Sequence, residues 1–187
     1  IAAWPDTLAL RYPDAPPIRV VHGSPRRNDE GIFPDVTEAA LAPILAGIEE
    51  GTIVAAHTHL PLDRRIGRWH LLNPGSVGVP LGGELVASYL LLEGDARGWR
   101  GHFRRVPFSN DRLFREFDRM GFVAECGIIG ELVVAEFRTA RLQLHPFLGW
   151  RRRVCPDAPF APEILARFRD ADPTPYVPAA SRAGGAP

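Results

Sequence analysis

The chain has 187 residues, of which 45% are hydrophobic, and this is enough for one domain with a sizeable core. Its 22 basic residues are all arginine and balance 22 acidic residues, so the zero net charge excludes a strong overall attraction to nucleic acid or to an anionic membrane. No apolar run reaches the roughly 18 residues that a membrane-spanning helix needs. Cys126 and Cys155 stand far apart without a C-x-x-C pair, which predicts a reduced, cytoplasmic protein without a disulfide framework.

The front of the chain predicts two strands followed by a helix. The strands cover Leu8–Tyr12 and Ile18–Val21, and a proline-rich turn joins them. Asp35 with Glu38 predicts a capping box at the start of the helix. Pro43 instead favours a later start, because a helix tolerates proline best in its first turn. The helix carries apolar residues at the spacing of a core-facing stripe: Leu41, Ile44, Leu45 and Ile48.

The middle of the chain predicts further strands. A buried strand at Thr52–Ala56 leads directly into His57, Thr58 and His59. We expect the segments after it to form an antiparallel run that closes a sheet. Three such segments, separated by the glycine-rich NPGSVGVPLGG and by the turn GDARG, lie at residues 64–72, 84–94 and 98–108.

The rest of the chain has helical patterns and a tail. Helices are predicted at residues 110–122 and 128–142, with a third at about 161–168. The tail at residues 170–187 is rich in Pro, Ala and Gly and is predicted to be disordered. The second helix carries an apolar stripe that packs on the domain or serves a dimer contact: Ile129, Leu132, Val133 and Phe137.

Three histidines form the candidate metal site. His57 and His59 are separated by one residue in a predicted extended segment, so their side chains leave the same face with Cα atoms roughly 6.6 Å apart, at about 3.3 Å per residue. In binuclear hydrolytic sites the ions lie about 3.5–4 Å apart, so such a pair is suited to binding one ion each. His22 ends a separate predicted strand and would supply a further ligand to one ion. Taken alone, each histidine is more typical of a structural residue.

The context of these histidines adds a family resemblance. The succession of a strand with HGSP, a helix, a strand with AHTH and a later NPGSVG resembles the bacterial and archaeal phosphodiesterase branch of the calcineurin-like metallophosphoesterases. The resemblance runs from about Trp4 to about Phe108. It implies an α/β (α+β) fold, a two-sheet sandwich flanked by helices, here without its N-terminal part. Residues 1–108 would be the C-terminal part of that domain, and residues 109–169 a helical extension packed on it.

The resemblance also implies a site and a reaction. His22 and His57 would bind one divalent ion and His59 a second, and the ions would be manganese, iron or zinc. In the family the two ions activate a water molecule that attacks phosphorus, and they offset charge on the phosphoryl oxygens. NPGSVG, residues 73–78, would shape the rim of the site through its glycines. The implied activity is hydrolysis of a phosphodiester or a phosphomonoester.

Two features depart from the family pattern. Ala56 stands where the family usually has the glycine of GHTH. In the family, the D-x-H, GD and GNHD segments lie upstream of HGSP and supply the remaining ligands and the catalytic histidine. They are absent upstream of His22 here, so no catalytic residue is assigned. Because Ile1 lies in an apolar segment and the only methionine is Met120, we expect a fragment of a longer enzyme. Such a fragment should bind metal weakly, turn over little substrate and aggregate through exposed sheet edges.

Other polar residues have a functional and a plainer interpretation. The loop after HGSP contains Arg26, Arg27 and Asn28, and it either faces a substrate phosphate or is an ordinary solvated turn. In the first case Arg26 and Asn28 are the candidate substrate contacts. The triplet Arg151–Arg153 beside Trp150 is more typical of a solvated surface than of nucleic-acid contact. Structural or solvent-facing roles are expected for the remaining histidines, His70, His102 and His145.

Three functions remain open from the sequence. The leading one is metal-dependent phosphoester hydrolysis, with a phosphate ester as the substrate and nucleic acid a partner only as a substrate. The second is a non-catalytic binding or scaffold protein on a phosphoesterase fold. The third is a protein whose histidines hold one structural zinc ion. A homo-oligomer is compatible with each of them, and no membrane partner is predicted.

Overall fold

The computed structural model describes residue 3 and residues 5–179. These residues form two compact units, which comprise residues 5–78 with 86–106, and residues 79–85 with 107–179. Within the described residues, no helix combines the length and the apolar character needed to cross a bilayer.

The first unit contains a mixed five-stranded sheet. Its strands are β1 (Thr7–Tyr12), β2 (Ala15–Val21), β3 (Thr52–Val54), β4 (Leu62–Ile66) and β5 (Trp69–Asn73). They are arranged in the order β1-β2-β3-β5-β4. The central strands β2, β3 and β5 are parallel, and β1 and β4 are antiparallel to their neighbours. Because β2 and β3 are parallel, the loops that follow them begin at the same edge of the sheet.

Helix α1 (Glu38–Ile44) connects β2 to β3 and packs on the sheet. Leu41 and Leu45, 0% and 1% exposed, form the core there with buried Ile53 and Leu71. The same cluster also contains Val21, Ile32, Ala55, Leu62 and Ile66. The predicted apolar stripe therefore faces the core.

The start of α1 differs from both predictions. Thr37, not Asp35, is the N-cap, and its side-chain oxygen accepts a hydrogen bond from the backbone N–H of Ala40 at 3.2 Å. Pro43 lies inside the helix, which ends one residue later at Ile44. The later start is wrong because the threonine satisfies the free N–H groups of the first turn well before the proline.

A separate two-stranded sheet, formed by β6 (Val86–Asp95) and β7 (Gly98–Pro107), packs against the five-stranded one. The Trp99 indole N–H donates to the Pro16 carbonyl at 2.8 Å. The two packed sheets, with helix α1 on the five-stranded one, confirm the predicted two-sheet α/β class. The expected antiparallel closure of one sheet is wrong, because this hairpin is a sheet of its own.

Residues 64–72, predicted as one strand, belong to a hairpin. β4 and β5 pair with Ile66 opposite Trp69, and Gly67, with a φ of 53°, lies in the turn between them. The apolar residues on both sides of this turn give the segment a continuous strand pattern, and the pattern hides the turn.

The second unit is helical. Its helices are α2 (Asp111–Arg119), α3 (Phe122–Thr139), α4 (Leu144–Val154) and α5 (Pro162–Arg169). α3 is kinked at Gly127, which has φ and ψ of 56° and −140°. The core of this unit consists of Ile128, Leu132, Phe147, Trp150, Ile164, Leu165 and Phe168.

Two features of the second unit differ from the predictions. The sequence pattern misses α4, whose Phe147 is 0% exposed. The arginine triplet lies in the last turn of this helix, and its Arg151 donates to the Ala158 carbonyl and lies over the Phe160 ring. The predicted disordered tail contains a 3-10 helix at Thr174–Tyr176, and its tyrosine packs on the helical core, so the prediction is wrong there. Outside the described residues lie the rest of that tail, 180–187, and the start of the family resemblance at Trp4.

Candidate metal centre

His22 and His57 meet at the ends of two adjacent parallel strands. His22 directly follows β2, and His57 lies three residues after β3. The Nε2 atom of His22 and the Nδ1 atom of His57 are 3.2 Å apart. The two rings meet edge to face, with centroids 5.1 Å apart and planes inclined by 77°. This is the proximity that two ligands of a shared ion require.

The segment from His57 to His59 is a turn rather than the predicted extended strand. β3 ends at Val54, and both histidines have positive φ angles, 62° for His57 and 59° for His59. The predicted geometry, with both side chains on one face of a strand, is therefore wrong. The left-handed conformation is unfavourable for a residue that has a Cβ atom, so contacts from the surrounding structure must hold this turn.

Backbone hydrogen bonds from both neighbouring strands hold the start of the turn. The Ala55 N–H donates to the Leu72 carbonyl at 2.9 Å, and the Ala56 N–H donates to the His22 carbonyl at 2.8 Å. Ala56 is not among the residues with a positive φ. The methyl group at the family's usual glycine position is therefore compatible with the backbone conformation there.

Asn73, the first residue of NPGSVG, ties the histidine turn to β5. Its side chain is 0% exposed. Its Nδ2 atom donates to the Ala56 carbonyl at 2.8 Å and to Thr58 Oγ1 at 3.0 Å, while its Oδ1 atom accepts from the Gly75 N–H at 2.9 Å. Gly75 has a φ of 82°, which favours glycine. The motif thus acts through its asparagine as well as its glycines, a role that the letter pattern does not reveal.

The HGSP loop packs closely on its own backbone. A Cβ atom at Gly23 would lie 2.4 Å from the Asn28 carbonyl oxygen, so only glycine fits. The Ser24 N–H donates to the Arg27 carbonyl at 2.9 Å. The Ser24 hydroxyl donates to the Glu30 carboxylate at 2.5 Å and accepts from the Arg27 N–H at 3.2 Å. The glycine and the serine of the motif therefore shape the loop that follows His22.

The candidate phosphate contacts have partners within the chain. The Arg26 guanidinium bonds to the Glu30 carboxylate at 2.5 and 2.7 Å, and Asn28 Nδ2 donates to Asp6 at 3.0 Å. Asn28 and Asp6 line a groove of about 420 Å³ together with His22. A substrate phosphate would compete with Glu30 for Arg26 and would meet the charge of Asp6. Substrate contact stays a prediction for Arg26 and Asn28.

The electrostatic setting of His57 favours its neutral form. Burial lowers the pKa of His57 below its ordinary value, and the charges of His22 and His59 lower it further, while Asp29 opposes the shift. Neutral imidazole is the form that binds a metal ion. His59 thus acts electrostatically on His57.

The described residues supply two well-placed nitrogen ligands rather than a complete metal site. Nitrogen atoms 3.2 Å apart can both reach one ion at roughly 2.0–2.1 Å. Within residues 5–179, however, no three His, Cys, Asp or Glu side chains form a group that could hold an ion. A structural zinc ion takes about four ligands. His22 and His57 therefore fit part of the coordination of one ion, and the predicted convergence of three histidines is not seen.

The remaining histidines lie elsewhere in the fold. His70 is buried in β5, and its Nε2 atom lies 2.7 Å from the Asp63 carboxylate. His102 on β7 pairs with Glu93 at 3.0 Å, and His145 is exposed on α4. These positions agree with the structural or solvent-facing roles expected for them.

Comparison with known proteins gives matches among solved structures. No family model matches the chain, and neither does any curated protein. The hypothetical protein PH1004 from Pyrococcus horikoshii OT3 is 24% identical with a TM-score of 0.54, over 64% of this chain and 47% of that chain. A metallophosphoesterase from Sphaerobacter thermophilus is 25% identical with a TM-score of 0.50, over 64% of this chain and 54% of that one.

These likenesses confirm the superfamily that the motifs predict. The chain has the fold of the calcineurin-like metallophosphoesterases, and it spans about half the length of these two solved structures, 47% and 54%. The fold is therefore the one that the motifs predict, and His22 and His57 of those motifs meet at one edge of its sheet.

Proposed function

We propose that this chain contributes histidine ligands to a two-metal phosphoesterase site. The observation that supports the proposal is the 3.2 Å separation of His22 Nε2 and His57 Nδ1. Their strands are parallel neighbours in the sheet, and the edge beyond the carboxyl ends of such strands is where open α/β sheets bind ligands. The metallophosphoesterase fold supports the same class of chemistry.

In the proposed site, His22 and His57 hold one divalent ion, and His59 is a ligand of a second. Two such ions, when bound, supply an activated water nucleophile and offset charge on the phosphoryl oxygens. The lowered pKa of His57 keeps its imidazole ready to bind near neutral pH. Asn28 lines the adjoining groove, where we place the phosphodiester or phosphomonoester.

The proposed reaction needs more ligands than this sequence holds. Neither D-x-H nor GNHD occurs in the 187 residues, and the Gly94–Asp95 pair lies after the histidine motifs, whereas the family's GD segment precedes HGSP. Acidic ligands and a general acid must therefore come from outside the sequence described here. For the chain by itself, we propose weak metal binding and little turnover.

Titration with Co²⁺, followed by visible absorbance and calorimetry, tests the metal site. We expect His22→Ala and His57→Ala each to weaken binding at least about tenfold, because each removes a direct ligand. His102→Ala is the matched control, since this histidine is on β7 and pairs with Glu93. If His57→Ala binds cobalt as tightly as the wild type, the proposed site is wrong.

Hydrolysis is tested in a protein that also contains the D-x-H, GD and GNHD segments. We expect manganese-dependent cleavage of bis-para-nitrophenyl phosphate or para-nitrophenyl phosphate, lost in His57→Ala and His59→Ala. Full activity in both variants would contradict the assigned roles.

A second candidate function is a non-catalytic binding protein on the same fold. It is favoured by one observation, that the described residues contain no group of three metal-binding side chains. If this function is correct, the chain binds no cobalt at His22 and His57. A protein that also contains the D-x-H, GD and GNHD segments would then hydrolyse neither bis-para-nitrophenyl phosphate nor para-nitrophenyl phosphate. Tight binding of one equivalent of zinc, with melting on chelation, would instead indicate a structural ion.

A further inference from the structure

The turn that carries the candidate ligands is locally strained. His57 and His59 both adopt left-handed backbone conformations, with φ angles of 62° and 59°. This conformation crowds a Cβ atom against the backbone and persists only where surrounding contacts enforce it. Backbone bonds hold the start of the turn from both neighbouring strands, and the Thr58 N–H donates to the Ala56 carbonyl at 2.6 Å across His57. A side-chain partner holds the turn as well.

Asn73 provides that partner from β5. Its buried amide donates to the Ala56 carbonyl and to Thr58 Oγ1, which lie on either side of His57 in the chain. Its Oδ1 atom accepts from the Gly75 N–H, and this bond fixes the orientation of the amide. Thr58 is itself buried, 6% exposed. A single side chain thus bridges the two residues that flank the histidine.

We propose that Asn73 is a positioning residue that holds the His57 ring against His22. This inference rests on the proposed function, in which the two imidazoles share an ion. Without the amide, the Ala56 carbonyl keeps only the Thr58 N–H and the Thr58 hydroxyl only the Leu60 N–H at 3.4 Å, and both of these donors belong to the turn segment itself. The side-chain tie to β5 is lost, and the strained backbone relaxes toward ordinary φ values. His57 then leaves His22, although the hydrogen bonds of the Asn73 side chain go to Ala56, Thr58 and Gly75 rather than to either ring. Loss of a residue that orients metal ligands typically weakens metal binding by about 10- to 100-fold.

The test compares Asn73→Ala with Asn110→Ala. Asn110 is a matched control, because it is also buried, 6% exposed, and its Nδ2 atom donates to the Phe137 carbonyl at 2.7 Å in the second unit. The first readout needs no metal: a nuclear Overhauser effect between the rings of His22 and His57. The second is the affinity for Co²⁺. Urea unfolding shows the loss of stability in each variant.

We expect Asn73→Ala to lose the ring-to-ring effect and to bind cobalt at least about tenfold more weakly. Asn110→Ala should lose stability while keeping both signals at wild-type strength. Thr58→Val, which removes only one of the two acceptors at nearly unchanged volume, should show a smaller loss of both. This variant also serves as the test if Asn73→Ala does not fold.

The inference is overturned if Asn73→Ala and Thr58→Val keep the ring-to-ring effect and the cobalt affinity. It is also overturned if the wild-type protein shows no effect between the two rings. Failure of the proposed function looks different: the ring-to-ring effect responds to Asn73 as expected, but His57→Ala leaves the cobalt affinity unchanged.

Discussion

Glu30 fixes the loop that follows His22. Its pKa falls from 4.5 to about 2, chiefly through hydrogen bonding from Arg26 and also from Ser24, against the opposing effect of burial. The Ser24 hydroxyl lies 2.5 Å and the Arg26 Nε atom 2.7 Å from the carboxylate. The conformation of the HGSP loop therefore depends on the charge of one carboxylate.

We expect Glu30→Gln to remove part of the acid sensitivity of folding. The folded-state pKa lies below the unfolded value, so the carboxylate stabilises the fold above about pH 4.5, and this contribution is lost as the pH falls toward about 2. Arg26 is 49% exposed, and solvent screening limits the effect to about 1 kcal/mol. Urea unfolding near neutral pH and near pH 3 measures it: the wild type loses part of this increment at the lower pH, and the variant has none to lose.

Glu49→Gln is the control for that measurement, because Glu49 is an exposed carboxylate in the same unit. It should keep the acid sensitivity of the wild type. An equal response of the two variants to pH would show that Glu30 makes no special contribution.

Parallel pairing of β2 and β3 brings the candidate ligands together at the scale of elements. Val20 lies opposite Val54 in the last residue pair of this ladder. The residues that follow each strand therefore leave the sheet side by side, although His22 and His57 are 35 positions apart in the sequence. The connection through α1 makes this parallel arrangement possible.

The N-terminus of α1 allows a direct comparison of the predicted cap with the observed one. We expect Thr37→Ala to lower the free energy of unfolding by about 1 kcal/mol, because it leaves the Ala40 N–H without its acceptor. Asp35→Ala should change it little, since this residue is not the cap. Urea unfolding of both variants measures the difference. If Asp35→Ala lowers the free energy of unfolding more than Thr37→Ala does, Asp35 is the cap, as the capping box predicted from the sequence requires.

At the scale of the whole molecule, β1 is an edge strand of the five-stranded sheet. Leu8 and Tyr12 on this strand are 43% and 49% exposed. An edge strand with exposed apolar side chains is a template for pairing with another chain, and natural proteins often protect such edges with a charge. This edge is where we expect the predicted aggregation to begin.

We expect Leu8→Lys to reduce concentration-dependent association, because a charge on the edge strand disfavours strand pairing between molecules. Sedimentation velocity and light scattering over a range of protein concentrations measure the change. Val154→Lys is the control, since this valine is 47% exposed but ends a helix, where no strand edge is available. A monodisperse wild-type protein, or equal association in both variants, would contradict the prediction.

The sequence predicts much of the fold because local patterns decide it. Proline and glycine punctuation separates most strands, and the apolar stripe of α1 follows helical periodicity. Prediction from sequence fails where one local pattern is compatible with two structures. The segment containing β4 and β5 has one apolar pattern that fits either a strand or a hairpin, and only the antiparallel pairing of Ile66 with Trp69 selects the hairpin. α4 is missed because its apolar residues are interrupted by Pro146 and by the arginine triplet.

For the site, the motifs alone identify the candidates, His22, His57 and His59, and predict that they follow strands. The left-handed turn at His57 and His59, and its hydrogen bonds to Asn73, follow only from the folded arrangement of the strands. The physical reason is that an isolated H-T-H segment has no preference for that conformation. Hydrogen bonds from the neighbouring strands, contributed by residues distant in sequence, make it the stable one.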